Sequence, residues 1–413
     1  MTFSVRAAAF AAVSLLAIGS PAFGASRSSD VWPFVQRVLA QNPEAQASLA
    51  RADQAKAEAE ALAAPLYNPS LEIGVEDKRG ARGTPSAYDV GVAYTLELGG
   101  KQSARARAGG GRWAAATASD RALRNELAAR TLMLLSARES AISLEENATR
   151  QQAASARLAI ALARSLGAGD VGTADSALGQ ILSLQAEADL NSAKSQRAAI
   201  ETALTTLCAC RAADLPRLAV APPDVPRLDD GALKRFAEQS LSVEAARFGV
   251  EAAEGDLDVA RAGRIPDPTI SLSYGNDERQ SLYRLGLSVP LPLANDGSRE
   301  VEAKNRAVIV AARERETALR DAYVRARTAY DTYQINLASW NAWRSNAGSN
   351  DDRIASLEAL RNAGEATLTE FVVQLKESLD ASKQGVAIRD AAWQAYAEWL
   401  AASSQALTLA GAN

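Results

Sequence analysis

Two stretches of this 413-residue chain, 65–98 and 265–293, read as a different kind of structure from everything around them. Each opens at a proline-bracketed corner, Pro65-Leu-Tyr-Asn-Pro69 and Ile265-Pro-Asp-Pro268, and each then alternates. Leu71, Ile73 and Val75 fall on one side, with Glu72, Gly74 and Glu76 on the other; Val90, Val92, Tyr94 and Leu96 oppose Asp89, Gly91, Ala93 and Thr95. In the second stretch Ile270, Leu272 and Tyr274 oppose Ser271, Ser273 and Gly275, and Leu285, Leu287 and Val289 oppose Arg284, Gly286 and Ser288. A period of two gives a strand with one apolar face and one polar face of small residues. About ten such residues suit a strand that crosses an outer membrane, apolar side to lipid and polar side to water. Nearly all the rest reads as helix. Four strands cannot close a barrel, and no open sheet edge can face lipid, so a chain of this kind needs copies of itself.

The N-terminus has the pattern of a secretory signal peptide over residues 1–24. Arg6 supplies a positive start, Ala7 to Ile18 is apolar but too short to span a bilayer, and Ala22-Phe-Gly24 offers a small-residue cleavage site, so the exported chain is expected to start near Ala25. No cysteine follows the apolar run to take a lipid anchor, and no later run is long enough for a membrane helix. With 45 basic against 49 acidic residues, no nucleic-acid surface is expected. Histidine is absent, which removes the commonest metal ligand and general base. Cys208 and Cys210 form a C-x-C. It fits a soft-metal site, a strained disulfide or, most simply, two small buried residues near a helix end.

The chain is written twice. Pro69 recurs as Pro268, 199 residues on; Gly91 recurs as Gly286 and Gly169 as Gly364, both 195 on. The four-residue difference falls in the loop between strands, where length changes cost least. The first repeat, 25–211, reads as a helix from about 30 to 64, a β-hairpin over 69–98, a long helix from about 100 to 165, a tip turn at 166–173 and a helix to about 211. A proline-rich linker, 212–229, carries Pro216, Pro222, Pro223 and Pro226. The second repeat, 230–413, follows the same order, with a helix from about 231 to 263, its hairpin at 268–293, a helix from about 298 to 361, its tip turn at 362–367 and a final helix to about 408. Helices of about 65 residues are roughly 100 Å long, and two shorter helices end to end would match one of them. With 47% hydrophobic but only 5% aromatic residues, such helices pack closely yet supply no large core, which suits a hollow wall. A solid coiled-coil bundle is the ordinary alternative.

Gly167, Gly169 and Gly172 satisfy G-x-G-x-x-G, but a helix precedes them where a dinucleotide site needs a strand, so they read as a helix cap and turn. Both tip turns carry acids one and six residues past their glycine: Asp170 and Asp175 after Gly169, Glu365 and Glu370 after Gly364. These cap the following helix, and on the functional reading they also ring a narrow, cation-selective opening. Lys101, Arg105, Arg107 and Arg112 read as the solvated start of the long helix near lipid head groups or the periplasmic face. Gly109-Gly-Gly111 beside them marks a kink or close packing where barrel meets helices. Tyr67, Tyr88, Tyr94, Tyr274 and Tyr283 fit an interfacial aromatic girdle. Trp393, Tyr396 and Trp399 share one face of the last helix and read as packing anchors. No catalytic constellation is present, so no enzyme activity and no cofactor are expected.

In this order the motifs resemble the TolC-type outer membrane efflux proteins. The likeness rests on the duplicated plan, on Leu39-Ala-Gln-Asn-Pro43, Asn68-Pro-Ser-Leu71, Thr95-Leu-Glu-Leu-Gly-Gly-Lys101 and Ser288-Val-Pro-Leu-Pro292, and on the tip pattern from Gly169 to Asp175 with its copy from Gly364 to Glu370. The Leu-Glu-Leu-Gly-Gly-Lys stretch looks most like the heavy-metal, CzcC-like branch. The resemblance implies a mainly α fold with a small antiparallel β part: helical hairpins forming an α-barrel, and four strands per chain in a trimeric, 12-stranded transmembrane barrel. It implies a homotrimer in the outer membrane of a Gram-negative bacterium, working with a periplasmic adaptor (membrane fusion protein) and an inner-membrane transporter of the RND type. By position, Asp175 and Glu370, then Asp170 and Glu365, carry over as tip acids. The function it implies is an exit duct passing substrates, heavy-metal cations among them; the alternative is a soluble periplasmic coiled-coil adaptor.

Overall fold

The computed structural model describes residues 31–77, 86–277, 280–365 and 367–411. The signal-peptide segment, 1–24, lies outside the described residues. The first half runs α1 (Val31–Gln41), α2 (Pro43–Ala63), β1 (Ser70–Asp77), β2 (Ser86–Thr95), α3 (Lys101–Ala168) and α4 (Thr173–Cys208). The second runs α5 (Asp230–Glu238), α6 (Leu241–Gly263), β3 (Thr269–Asp277), β4 (Gln280–Ser288), α7 (Ser298–Asn362), α8 (Leu368–Ala402) and a last turn, α9 (Ala406–Leu409). At 68 and 65 residues, α3 and α7 are each about 100 Å long. Among the described residues no helix is long and apolar enough to cross a membrane.

Three helices that read as continuous are broken, each for a local reason. Asn42 precedes Pro43, which pushes it out of the helical region to φ −69°, ψ 125°. Its side chain then accepts from the Glu44 and Ala45 N–H groups and starts α2 afresh. Ser240 does the same between α5 and α6, accepting from Val243 N–H. After α8, Ser404 takes a positive φ of 59° and turns the chain into α9.

α3 is the spine: α2, α4, α6 and α8 all pack against it, and α7 packs between α6 and α8. The shorter helices meet end to end. Asn42 Nδ2, at the start of α2, donates to Leu207 O at the end of α4, and Leu241 N, at the start of α6, donates to Ser404 Oγ just past α8. The main core gathers at that joint. Phe34, Val35 and Val38 of α1, Leu132 and Leu135 of α3, Leu204 of α4, Tyr333 of α7 and Trp399 and Leu400 of α8 are fully buried there. Composition predicts no large core, but several aromatic residues, Phe34, Tyr330, Tyr333, Trp393, Tyr396 and Trp399 among them, gather in this one place. Trp399 stacks edge-on with Phe236 and Tyr330, and Trp393 with Tyr396, so the residues read as packing anchors are that.

Candidate functional site

The four strands form one antiparallel sheet in the order β1-β2-β3-β4, which leaves β1 and β4 as free edges. Its register aligns like with like. Leu71, Val92, Leu272 and Leu285 make one row across all four strands; Ile73, Val90, Tyr274 and Tyr283 make the next. All eight side chains are exposed, with Leu71 at 66% and Leu285 at 80%. This is a continuous apolar face that none of the described residues covers. The other face is polar and tight. A Cβ added to Gly91 would sit 2.8 Å from Ser273 Cβ, and one on Gly286 would sit 2.5 Å from Ser271 Oγ. Crowding on the polar side with splayed residues on the apolar side is the geometry of a sheet curling with its polar face inward.

The Leu-Glu-Leu-Gly-Gly-Lys stretch is the hinge by which this sheet is held to the helices. Gly99 and Gly100 take φ of 73° and 74°, a left-handed pair that turns the chain from β2 into α3. Lys101 then reaches the second half, pairing with Asp267 at 2.7 Å and donating to Ile265 O at 2.6 Å. Leu98 N–H donates to the same carboxylate at 2.9 Å and Tyr67 O–H at 3.2 Å. Burial works against ionisation of Asp267, but these donors outweigh it and hold its carboxyl below the usual range. Arg105 pairs with Glu97 beside it.

This corrects the solvated reading for Lys101 and Arg105, while Arg107 and Arg112 are exposed as expected. Lys101 and Arg105 are only 13% and 14% exposed, Arg107 pairs with Asp258 at 2.6 Å, and Arg112 pairs with Asp256 at 2.6 Å. Tyr67 likewise belongs to the junction rather than to an aromatic girdle. Gly111 and Gly255 mark close packing rather than a kink. A Cβ on Gly111 would meet the Ala252 backbone nitrogen at 2.6 Å, and one on Gly255 would meet that of Ala108 at 2.5 Å, so α3 and α6 touch backbone to backbone just past the sheet.

At the far end of the helices, the two tip turns are built alike. Gly169 (φ 84°) and Gly364 (φ 77°) reverse the chain. Asp170 N–H donates to Ser165 O at 2.9 Å, and Glu365 N–H to Leu360 O at 3.0 Å. Asp175 and Glu370 occupy the same position, third in the first turn of α4 and α8. Asp175 accepts from Gly172 N–H at 3.3 Å. Glu370 accepts from the Thr367 hydroxyl at 2.7 Å and its N–H at 3.1 Å, and these bonds lower its carboxyl below the ordinary value. All four acids are exposed. Behind the turns, Leu158 of α3, Leu357 of α7, and Phe371, Leu375 and Leu379 of α8 form a small core that joins the two hairpins.

One feature was hidden in the sequence. Cys208 and Cys210 are joined in a disulfide, where two plain buried cysteines were the simplest expectation. The bridge spans Ala209, whose φ of 48° ends α4.

Comparison with known proteins agrees with this geometry. Residues 232–403 match the family model described as outer membrane efflux protein. The cobalt-zinc-cadmium resistance protein CzcC of Cupriavidus metallidurans is 27% identical over 234 residues, 55% of this chain and 54% of that protein. The match therefore spans about half the length of that curated relative. The solved structure of CusC, in a study of transmembrane channel formation, superposes with TM-score 0.75 at 13% identity, covering 91% of this chain and 92% of that one. The CmeC outer membrane channel of Campylobacter jejuni gives TM-score 0.75 at 13% identity, covering 98% and 94%. The second half of the chain thus matches the outer membrane efflux protein family, and the fold of the whole is that of TolC-like channels. The family matched is one of outer membrane channels rather than of enzymes. The four-stranded sheet and the acidic turns lie at opposite ends of the long helices α3 and α7.

Proposed function

We propose that three copies of this chain close a 12-stranded barrel and act as the exit duct of a tripartite efflux system. The observation that carries the reading is the sheet: an unbroken apolar outer face between two unpaired edges. A face of that kind is stable against lipid, and the edges are satisfied only by further strands. In the proposal the two repeats, 25–211 and 230–413 with the linker 212–229 between them, each contribute one hairpin and one pair of helices to the wall. The partners are a periplasmic adaptor and an inner-membrane transporter of the RND type. The likeness to CzcC supports heavy-metal cations as cargo. The exposed Asp175 and Glu370, with Asp170 and Glu365 beside them, form the constriction at the tip, anchored by the turns at Gly169 and Gly364. Mass measurement of the detergent-extracted protein tests the closure. A stable particle of three chains is expected, and a stable single chain contradicts it.

A further inference from the structure

We infer that the seam between protomers has a set register, in which Arg284 of one copy pairs with Glu76 of the next. The inference rests on the trimer proposed above and specifies how its copies join. The two hairpins of the chain are equivalent in register. Ser70 pairs with Ala93 in the first; adding the repeat offsets of 199 and 195 gives Thr269 and Ser288, which is the pair observed in the second. The link between the hairpins is β2 against β3. When the barrel closes, β4 of one copy against β1 of the next is the following link of the same kind. The internal link therefore serves as its template.

Carried over by the same offsets, Val90 opposite Tyr274 becomes Leu285 opposite Val75, and Val92 opposite Leu272 becomes Leu287 opposite Ile73. In both rows apolar meets apolar; at the strand end Tyr88 opposite Asn276 becomes Tyr283 opposite Asp77, again an aromatic residue beside a polar one. Asp89 opposite Gly275 becomes Arg284 opposite Glu76. Arg284 is the one charged residue of β4, and it lies on the polar face, as Glu76 does. Directly opposed unlike charges stabilise an antiparallel pair. A two-residue slip would set Arg284 against Gly74 and leave Glu76 without its partner. Glu76 also stands where the template has Gly275, at which an added Cβ would lie 2.8 Å from Tyr88 O, so the seam opens slightly there. Within the chain Arg284 stands opposite Ser273, an uncharged residue. The unlike charges appear at the two edges, where separate copies must find one alignment among several.

Paired cysteines introduced into the full chain test the register. Opposed residues in an antiparallel sheet come within disulfide range, while a pair displaced by two residues lies beyond it. The native cysteines are already bridged to each other and do not compete. Oxidised in outer membranes, the pair Ile73→Cys with Leu287→Cys should give covalent trimers on non-reducing gels, and Val75→Cys with Leu287→Cys should not. Arg284→Glu should cause loss of the heat-resistant trimer, and adding Glu76→Arg should restore it. If trimers form but the displaced pair crosslinks, or the charge swap fails to restore them, the seam assignment is overturned and the trimer stands. If the unsubstituted protein is a single chain, both fall.

Discussion

Asp267 collects a salt bridge and two further hydrogen bonds at one carboxylate, and three separate segments meet there. Lys101 and Asp267 are both nearly buried, so removing the cation strands a charge. Lys101→Met should cost about 3–5 kcal/mol, the usual penalty for breaking a buried pair, seen as a lower thermal midpoint for the extracted protein. The sign with pH follows from the lowered Asp267 carboxyl. Its contribution is fully present above the ordinary aspartate range and is lost as pH falls through its depressed folded value. The midpoint of the native protein should thus fall on acidification, and the Lys101→Met protein should show less of that fall. At the tip, Asp175 and Glu370 act as helix caps, and a capping carboxylate remains charged and exposed, so capping does not compete with a gate role. Replacing both by Ala should lower cation selectivity and block by multivalent cations in planar-bilayer conductance. Unchanged selectivity and block would leave them as caps alone.

At the level of elements, the sheet's faces differ enough to be told apart by charge insertion. Leu272→Arg places a guanidinium on the apolar face at a cost of about 2–4 kcal/mol if that face meets the bilayer midplane. Ser273→Arg, one residue on, points to the polar side and should be tolerated far better. Yields of folded protein in isolated outer membranes compare the two, and equal defects would refute the assignment of faces. This distinction was legible in the sequence because a strand's faces follow from period two alone, without knowledge of neighbours. The positions of helices and turns were legible for the same local reason. What escaped was set by distant partners or overlooked chemistry. The Asn42-Pro43 break is written in the sequence as a cap followed by proline, a local signal outweighed by the run of helix formers around it. Lys101 looked solvated because its partner Asp267 lies in the other repeat. The Cys208–Cys210 bridge requires a left-handed alanine, which no propensity would select. Gly111 and Gly255 announced close packing, but their partners, Ala252 and Ala108, emerge only when α3 and α6 are set side by side.

For the whole molecule, one principle orders the parts. Long helices built from small residues give reach without bulk, and the largest buried cluster of apolar side chains lies at the joint where α2 meets α4 and α6 meets α8. Packing at that joint and backbone contact between α3 and α6 tie the sheet to the helices. In the proposed duct the apolar face of the sheet lies against lipid and the polar face against water. A scan of single cysteines from Ile270 to Gly275, spin-labelled in reconstituted vesicles, measures this directly by collision with oxygen and with a water-soluble nickel complex. Oxygen contact should peak at 270, 272 and 274, and nickel contact at 271, 273 and 275. Equal accessibility along the strand, or peaks in the opposite phase, would contradict it.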